Sequence, residues 1–325
     1  MTINNVGVSF AWILFFAVSA LAQSAQEPAS GNPPPNNPLK IAQLKWYAGN
    51  TTTAFSVGSE PYSIAFDGAN MWVADFGDGT VTKLRANDGT KLGTFTIGRG
   101  TEPFGVTFDG ANIWVSNVGT GTVNKLQAST GKILGTFPVG TPTDPPGWMA
   151  FDGENLWVPY ANSVAKLRAS DGKSLGTFAV GNSPTAAAFD GSSVWVTNTG
   201  DGTVSKMRPS DGTILGTFPV GSRPTGLAFD GANIWVANRD SGTVSKLRAS
   251  DGSTLGTFNI GDEPYAIAFD GTHIWVTNSI VTELRASDGT VLNIFNIPRT
   301  NASGVAFDGA NIWIGGLNDG EVHKF

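Results

Sequence analysis

The chain has 325 residues, and 26 acidic against 20 basic side chains give it a formal charge of −6. It holds no cysteine and only two histidines, which excludes a disulfide scaffold, a thiolate-held metal or iron–sulfur site and a poly-histidine centre. The acidic balance argues against nucleic-acid binding through overall charge, and 40% hydrophobic content argues against intrinsic disorder.

Residues 1–22 carry no charged side chain, and Val6 to Ala22 is an almost unbroken apolar run ending in Ala20-Leu21-Ala22. A short apolar stretch closed by small-x-small predicts a cleaved secretory signal. No Lys or Arg precedes the run, so an uncleaved N-terminal anchor is the alternative, although 17 residues is short for a span of about 20. Export without cysteines points to the bacterial periplasm or the medium, with no membrane span after signal cleavage. Residues 23–50 form a linker and lead-in, rich at first in Pro and Asn.

The remainder, 51–325, is one unit repeated. Phe-Asp-Gly occurs at Phe66, Phe108, Phe151, Phe189, Phe229, Phe269 and Phe307, and a Trp follows six residues after each Phe, from Trp72 to Trp313. In the copy from Pro224 to Gly261, Thr225–Asp230 alternates small and large residues and Gly-Ala-Asn makes a turn. Ile234–Asn238 is an apolar, β-branched run, and Thr243–Ala249 alternates again. Ser250-Asp251-Gly252 is a hairpin turn before Leu255–Ile260. These are four short strands, A to D, with no helical period. Four strands per unit of about 40 residues, seven times over, predict an all-β fold: a seven-bladed β-propeller with four antiparallel strands per blade.

The last unit stops after Glu321–Phe325, which matches strand C, while Thr53–Gly58 matches strand D. The ring is therefore expected to be closed by this N-terminal outer strand, which removes two open edges. Lys40–Lys45 also resembles a strand C; the C-terminal candidate is preferred, because Asn318-Asp319-Gly320 supplies the loop before it.

Trp195-Val196-Thr197-Asn198 and Trp275-Val276-Thr277-Asn278 resemble the signature tetrapeptide of the YVTN-type β-propeller repeat. The downstream Thr-Val-Ser-Lys-Leu, Asp-Gly-Thr and Thr-Phe-Pro-Val-Gly segments resemble the rest of that repeat, over about residues 51–325. The resemblance implies a seven-bladed bacterial or archaeal propeller, often exported, and carries over no catalytic residue.

Seven identical copies make the Phe-Asp-Gly aspartate a turn cap rather than an acid. The Lys-Leu-Arg of strand C spreads around a ring instead of clustering as a nucleic-acid face requires, and its stems are expected to cover apolar surface. Gly-Asp-Gly-Thr at Gly77 and Gly200 offers one carboxylate per loop, too few for calcium. Function is expected where repeats differ. The D-to-A and B-to-C connections share one face, the top. Blade 3 departs there three times: the preceding link grows to Gly140–Pro146, the B-to-C loop shortens at Tyr160, and Trp148 stands where other blades have Gly, Ser or Ala. Tyr62, Phe104 and Tyr265 follow the link proline on the same face, with acids such as Glu102 and Asp144 on the rim. These seven residues are the expected binding site for a protein, peptide or carbohydrate. The expected role is a monomeric, non-enzymatic binding scaffold without catalytic residue, metal or cofactor. Two enzymes are alternatives. The streptogramin lyases, also seven-bladed, resemble it in fold, and that resemblance implies clustered His and Glu with magnesium on the top face. Here His273 sits in an A-to-B turn on the opposite face and His323 is expected alone in strand C. The gluconolactonase family implies six blades and calcium-binding carboxylates in the channel, where this strand A offers small and apolar residues.

Overall fold

In a computed structural model, residues 53–325 are described, apart from 262 and 298–300. Every regular element among them is a β-strand, and the strands form seven four-stranded antiparallel sheets. Blade 5 shows the pattern: strands Pro224–Phe229, Asn233–Asn238, Thr243–Arg248 and Thr254–Asn259, paired in chain order. Strand A faces the axis, where Gly226 N donates to Tyr265 O of the next blade. The small residues of strand A permit this approach: a Cβ on Gly226 would lie 2.7 Å from Tyr265 O, and one on Gly304 2.8 Å from Ser63 Cα. Strand B is buried along nearly its whole length, so it reads as a continuous apolar run, and strand D alternates exposed and half-buried residues at the circumference.

The hydrophobic core lies between blades rather than within them. Trp195 and Val204 of blade 4 pack with Leu227, Ile234, Val236 and Leu247 of blade 5. Each repeat tryptophan is a wedge in such a layer; six have no exposed surface and Trp275 is 8% exposed. Each also packs against the strand D phenylalanine of its own blade, stacked or tilted, as Trp235 on Phe258 at 5.6 Å between centroids. In the seventh sheet the outer strand is Thr53–Ser56, antiparallel to Glu321–Lys324 with Thr53 opposite Lys324. The rival segment Lys40–Lys45, the apolar run Val6–Ala22 and the linker lie outside the described residues.

The Phe-Asp-Gly aspartate does more than cap a turn. Asp230 Oδ1 accepts from the backbone N–H groups of Ala232 and Asn233, while Oδ2 accepts from Trp235 Nε1 at 2.7 Å. All seven blades repeat the bond to the tryptophan. Burial works to raise the carboxyl pKa of Asp67, Asp190, Asp230, Asp270 and Asp308. The hydrogen bonds from the tryptophan and the turn outweigh it and hold each below the ordinary value.

The strand C lysine departs from the sequence expectation more strongly. It does not lie along the surface. Lys206 is 8% exposed, its ammonium 5.2 Å from the centre of the Trp195 ring. It donates to Ala249 O and Ser250 O in the C-to-D turn of the next blade. The same ammonium-over-indole arrangement joins blade 7 to blade 1 through Lys324, which reaches Ala86 O and Asn87 O. Blade 6 is the exception, with Glu283 in the lysine position. The topology supplies the reason. Blade 7 receives its outer strand from Thr53–Ser56 and so presents no C-to-D turn, leaving a lysine in blade 6 without these carbonyls. Glu283 instead accepts from Asn293 Nδ2 and lies 3.4 Å from His273 Nδ1, which also contacts Asp270.

Candidate functional site

The top-face loops are fastened by their polar residues. Asp78 accepts from Ser59 N and Asp201 from Asn182 N, so each B-to-C loop holds the D-to-A link beside it. The link residue before proline is in the left-handed region at Glu60, Glu102, Ser183, Arg223 and Glu263. In the first four, its carbonyl accepts from the B-to-C loop, as Glu102 O does from Val118 N. A recurring bond thus offsets the local strain, and the side chains that follow are held rigidly toward the axis.

Four aromatic side chains meet there. Tyr62 and Phe104 have ring centroids 4.8 Å apart, Phe104 stacks on Trp148 at 4.8 Å, and Trp148 meets the edge of Tyr265 at 4.9 Å. Tyr265 returns to Tyr62 at 5.8 Å, its hydroxyl donating to the Tyr62 oxygen. The circuit joins blades 1, 2, 3 and 6 across the axis. Blade 3 closes it because its first strand is displaced: Trp148 N donates to Thr185 O and Ala187 N to Trp148 O, so that the strand proper shortens to Ala150–Phe151, with Gly147 N still donating to Pro159 O of strand B. Against Trp148 lies a cavity of about 110 Å³ lined also by Ser63, Ala187, Leu227, Ile267 and Val305. Burial first, then Tyr62, pushes the Tyr265 phenol above its ordinary pKa, so it remains a neutral donor.

Two depressions flank the aromatic circuit. One, of about 440 Å³, lies between Tyr62, Phe76, Phe104 and the link Thr143–Gly147, with Thr185 on its far wall. That link is stiff: Thr141 and Asp144 exchange both backbone hydrogen bonds, and Pro145 and Pro146 follow. The other, of about 370 Å³, is bounded by Tyr62, Tyr265, Asn278, Leu317 and the Arg239–Glu263 ion pair at 2.6 Å. The hydrogen bond to Glu263 raises the Arg239 pKa, and the same bond lowers that of Glu263.

Of the seven residues singled out in the sequence, Tyr62, Phe104, Trp148 and Tyr265 come together, and Asp144 is exposed on the wall of the larger depression. Glu102 is half-buried beside Gly119 on the rim. Tyr160 lies elsewhere: it packs on the layer containing Trp114, Val123 and Met149, and its hydroxyl is 3.2 Å from Thr177 Oγ1 in strand D. Sequence reasoning missed the Arg239–Glu263 pair, although both stand in top-face loops. His323 does lie in strand C as expected, but it is not alone there. His323 Nε2 is 2.9 Å from Asp319 Oδ2, and with Glu321 these residues bring metal-ligating atoms within 4.8 Å of one another.

The fold and this end define a seven-bladed β-propeller with four aromatic side chains meeting at the axis of its top face. No family model and no curated protein matches the chain. Solved structures do: a streptogramin B lyase superposes with a TM-score of 0.73 at 17% identity, over 84% of this chain and 96% of that one. Two structures of virginiamycin B lyase from Staphylococcus aureus give similar values. A catalytically inactive form with quinupristin has a TM-score of 0.72, and the selenomethionine-substituted protein 0.73. Both are 18% identical, over 84% of this chain and 98% of theirs. At such identity the likeness shows the fold.

Proposed function

We propose that this chain is an exported, non-enzymatic binding propeller of the YVTN-repeat type, working as a monomer in the cell envelope or outside the cell. Its top face takes a neutral or cationic peptide or a neutral glycan. The observation that carries this reading is the aromatic circuit Tyr62–Phe104–Trp148–Tyr265 beside a depression walled by a proline-stiffened link. Rigid aromatic anchors lose little entropy on binding and dominate interaction hot spots. Exposed Asp144 favours a partner without negative charge. No nucleic acid is expected, since the strand C lysines are buried between blades and the strand C arginines are each paired with a turn aspartate and spread around the ring.

The test is tryptophan fluorescence and calorimetry with a panel of neutral and cationic peptides and neutral oligosaccharides, on the native chain and on Trp148→Ala. Binding lost in Trp148→Ala with an almost unchanged unfolding midpoint supports the reading. Binding retained alongside a large loss of stability reduces Trp148 to a plug. The second reading, favoured by the superposition on streptogramin B lyases, is a lyase. Incubation with quinupristin followed by chromatography separates the two: turnover would establish the enzyme and sink the scaffold.

A further inference from the structure

We propose that Asp319, Glu321 and His323 of blade 7 form a binding site for a divalent transition-metal ion, with zinc the best match to the donor set. The argument starts from how blade 7 breaks the repeat. In blades 1, 2, 4 and 5 strand B ends in a polar residue whose side chain bonds to the first and third residues of strand C. Asn198 donates to Thr203 Oγ1 and Ser205 Oγ, and Asp75 accepts from Thr80 Oγ1 and Thr82 Oγ1. Blade 7 has Gly316 at the end of strand B, Glu321 at the first position of strand C and His323 at the third. The bridging side chain is gone, and its two partners have become metal-ligating residues together.

The local geometry orients them. Glu321 and His323 are two apart on one strand and so share a face. Asp319 Oδ1 accepts from Glu321 N at 3.0 Å, which turns Oδ2 toward His323 Nε2 at 2.9 Å. The histidine side chain is only 8% exposed and that of Asp319 17%, so this is not a solvated acidic patch. One imidazole nitrogen and two carboxylates whose ligating atoms lie within 4.8 Å of one another can converge on an ion at about 2.0–2.2 Å. Nitrogen among the donors favours zinc or a neighbouring transition metal over calcium or magnesium, which take oxygen. Three protein ligands leave a fourth position open. Leu317, two residues before Asp319, lines the depression beside Tyr62 and Arg239, so an ion here would stiffen the loop forming one wall of it.

The experiment uses the full chain, stripped with a chelator and dialysed. Calorimetry with zinc chloride, repeated with calcium chloride, measures stoichiometry and affinity, and thermal unfolding is followed with and without zinc. One zinc per chain, at least ten-fold tighter than calcium, and a rise in unfolding temperature with zinc are expected. Asp319→Asn and His323→Gln should each weaken zinc binding ten-fold or more, while His273→Gln, on the opposite face, leaves it unchanged. Should a variant fail to fold, Glu321→Gln, at the half-buried end of the strand, carries the test. Absence of stoichiometric zinc binding to the native chain overturns the proposal. So does binding that survives all three substitutions. Either result would leave Asp319–His323 as a hydrogen bond replacing the one that Gly316 removed.

Discussion

The two ends of the blades are built by opposite rules. Toward the A-to-B and C-to-D turns, the same Asp–Trp bond occurs in all seven blades, and an ammonium covers the indole in six. Toward the other end, blades 1, 2, 3 and 6 contribute four aromatic residues to one circuit, and blade 3 displaces its inner strand to do so. Repetition marks what holds neighbouring blades together. Departure from it marks what meets something other than a blade. The single exception in the lysine position obeys this too, since Glu283 faces the one junction that lacks a C-to-D turn.

The largest effect should come from the repeated wedge. Trp235 has no exposed surface and packs among Val244, Ile267, Ile274 and Val276. Trp235→Ala should cost about 3–5 kcal/mol by denaturant unfolding. Trp148 is half-buried, so Trp148→Ala should cost clearly less. Equal losses would erase the distinction between wedge and binding surface.

The lysines come next. Lys206→Met keeps the stem but leaves Ala249 O and Ser250 O without their donor, at about 1–3 kcal/mol. In blade 6, Glu283→Lys restores the repeat residue, yet it should destabilise. It removes the acceptor of Asn293 and the carboxylate beside His273 and finds no C-to-D turn. If restoring the repeat residue raises the unfolding midpoint, the account of the exception is wrong.

The strand order, the four-strand unit and the wedge tryptophans were legible in the sequence because each recurs at a fixed offset and each offset maps to one place in the blade. Trp148 stood out as a large residue in a column of small ones, and Tyr62, Phe104 and Tyr265 as aromatics after a shared proline. The convergence of these four was not legible. It depends on the sideways shift of the blade 3 inner strand, which no local pattern records. Tyr160 misled for the complementary reason: a loop residue at the end of strand B can turn toward the axis or toward the neighbouring blade, and it turned outward to Thr177. The burial of the strand C lysines escaped because their acceptors are carbonyls about 40 residues away.

A smaller effect is expected at the turn aspartate. Asp230→Asn retains one acceptor oxygen but loses the charge shared among Trp235, Asn233 and the turn N–H groups, at about 1 kcal/mol. Because Asp67, Asp190, Asp230, Asp270 and Asp308 are held below the ordinary value of 3.8 in the folded state, folding favours their charged form. Their contribution is full above that value and is lost as pH falls through the lowered native values. Unfolding free energy measured from pH 6 downward should therefore decline in the acid limb, less steeply in Asp230→Asn. Equal slopes would show that the bonds to the indoles do not select the ionised carboxylate.

The smallest effect tests whether repetition alone measures importance. Arg85–Asp88, Arg168–Asp171, Arg208–Asp211, Arg248–Asp251 and Arg285–Asp288 recur in five of the seven blades. They are exposed ion pairs three residues apart in the C-to-D turn, where water screens the attraction and holding two side chains costs entropy. The Asp211 pKa is lowered to about 2, but the backbone and side chain of Thr213 are the leading causes, ahead of Arg208. The aspartate therefore works as a turn residue that happens to have an arginine nearby. Arg208→Ala should leave the unfolding midpoint within the scatter of replicate melts, at low salt and at high salt alike. A clear loss that vanishes with added salt would show that repeated surface pairs stabilise the ring by electrostatics, and burial would then no longer separate the repeats that hold blades together from those that merely recur.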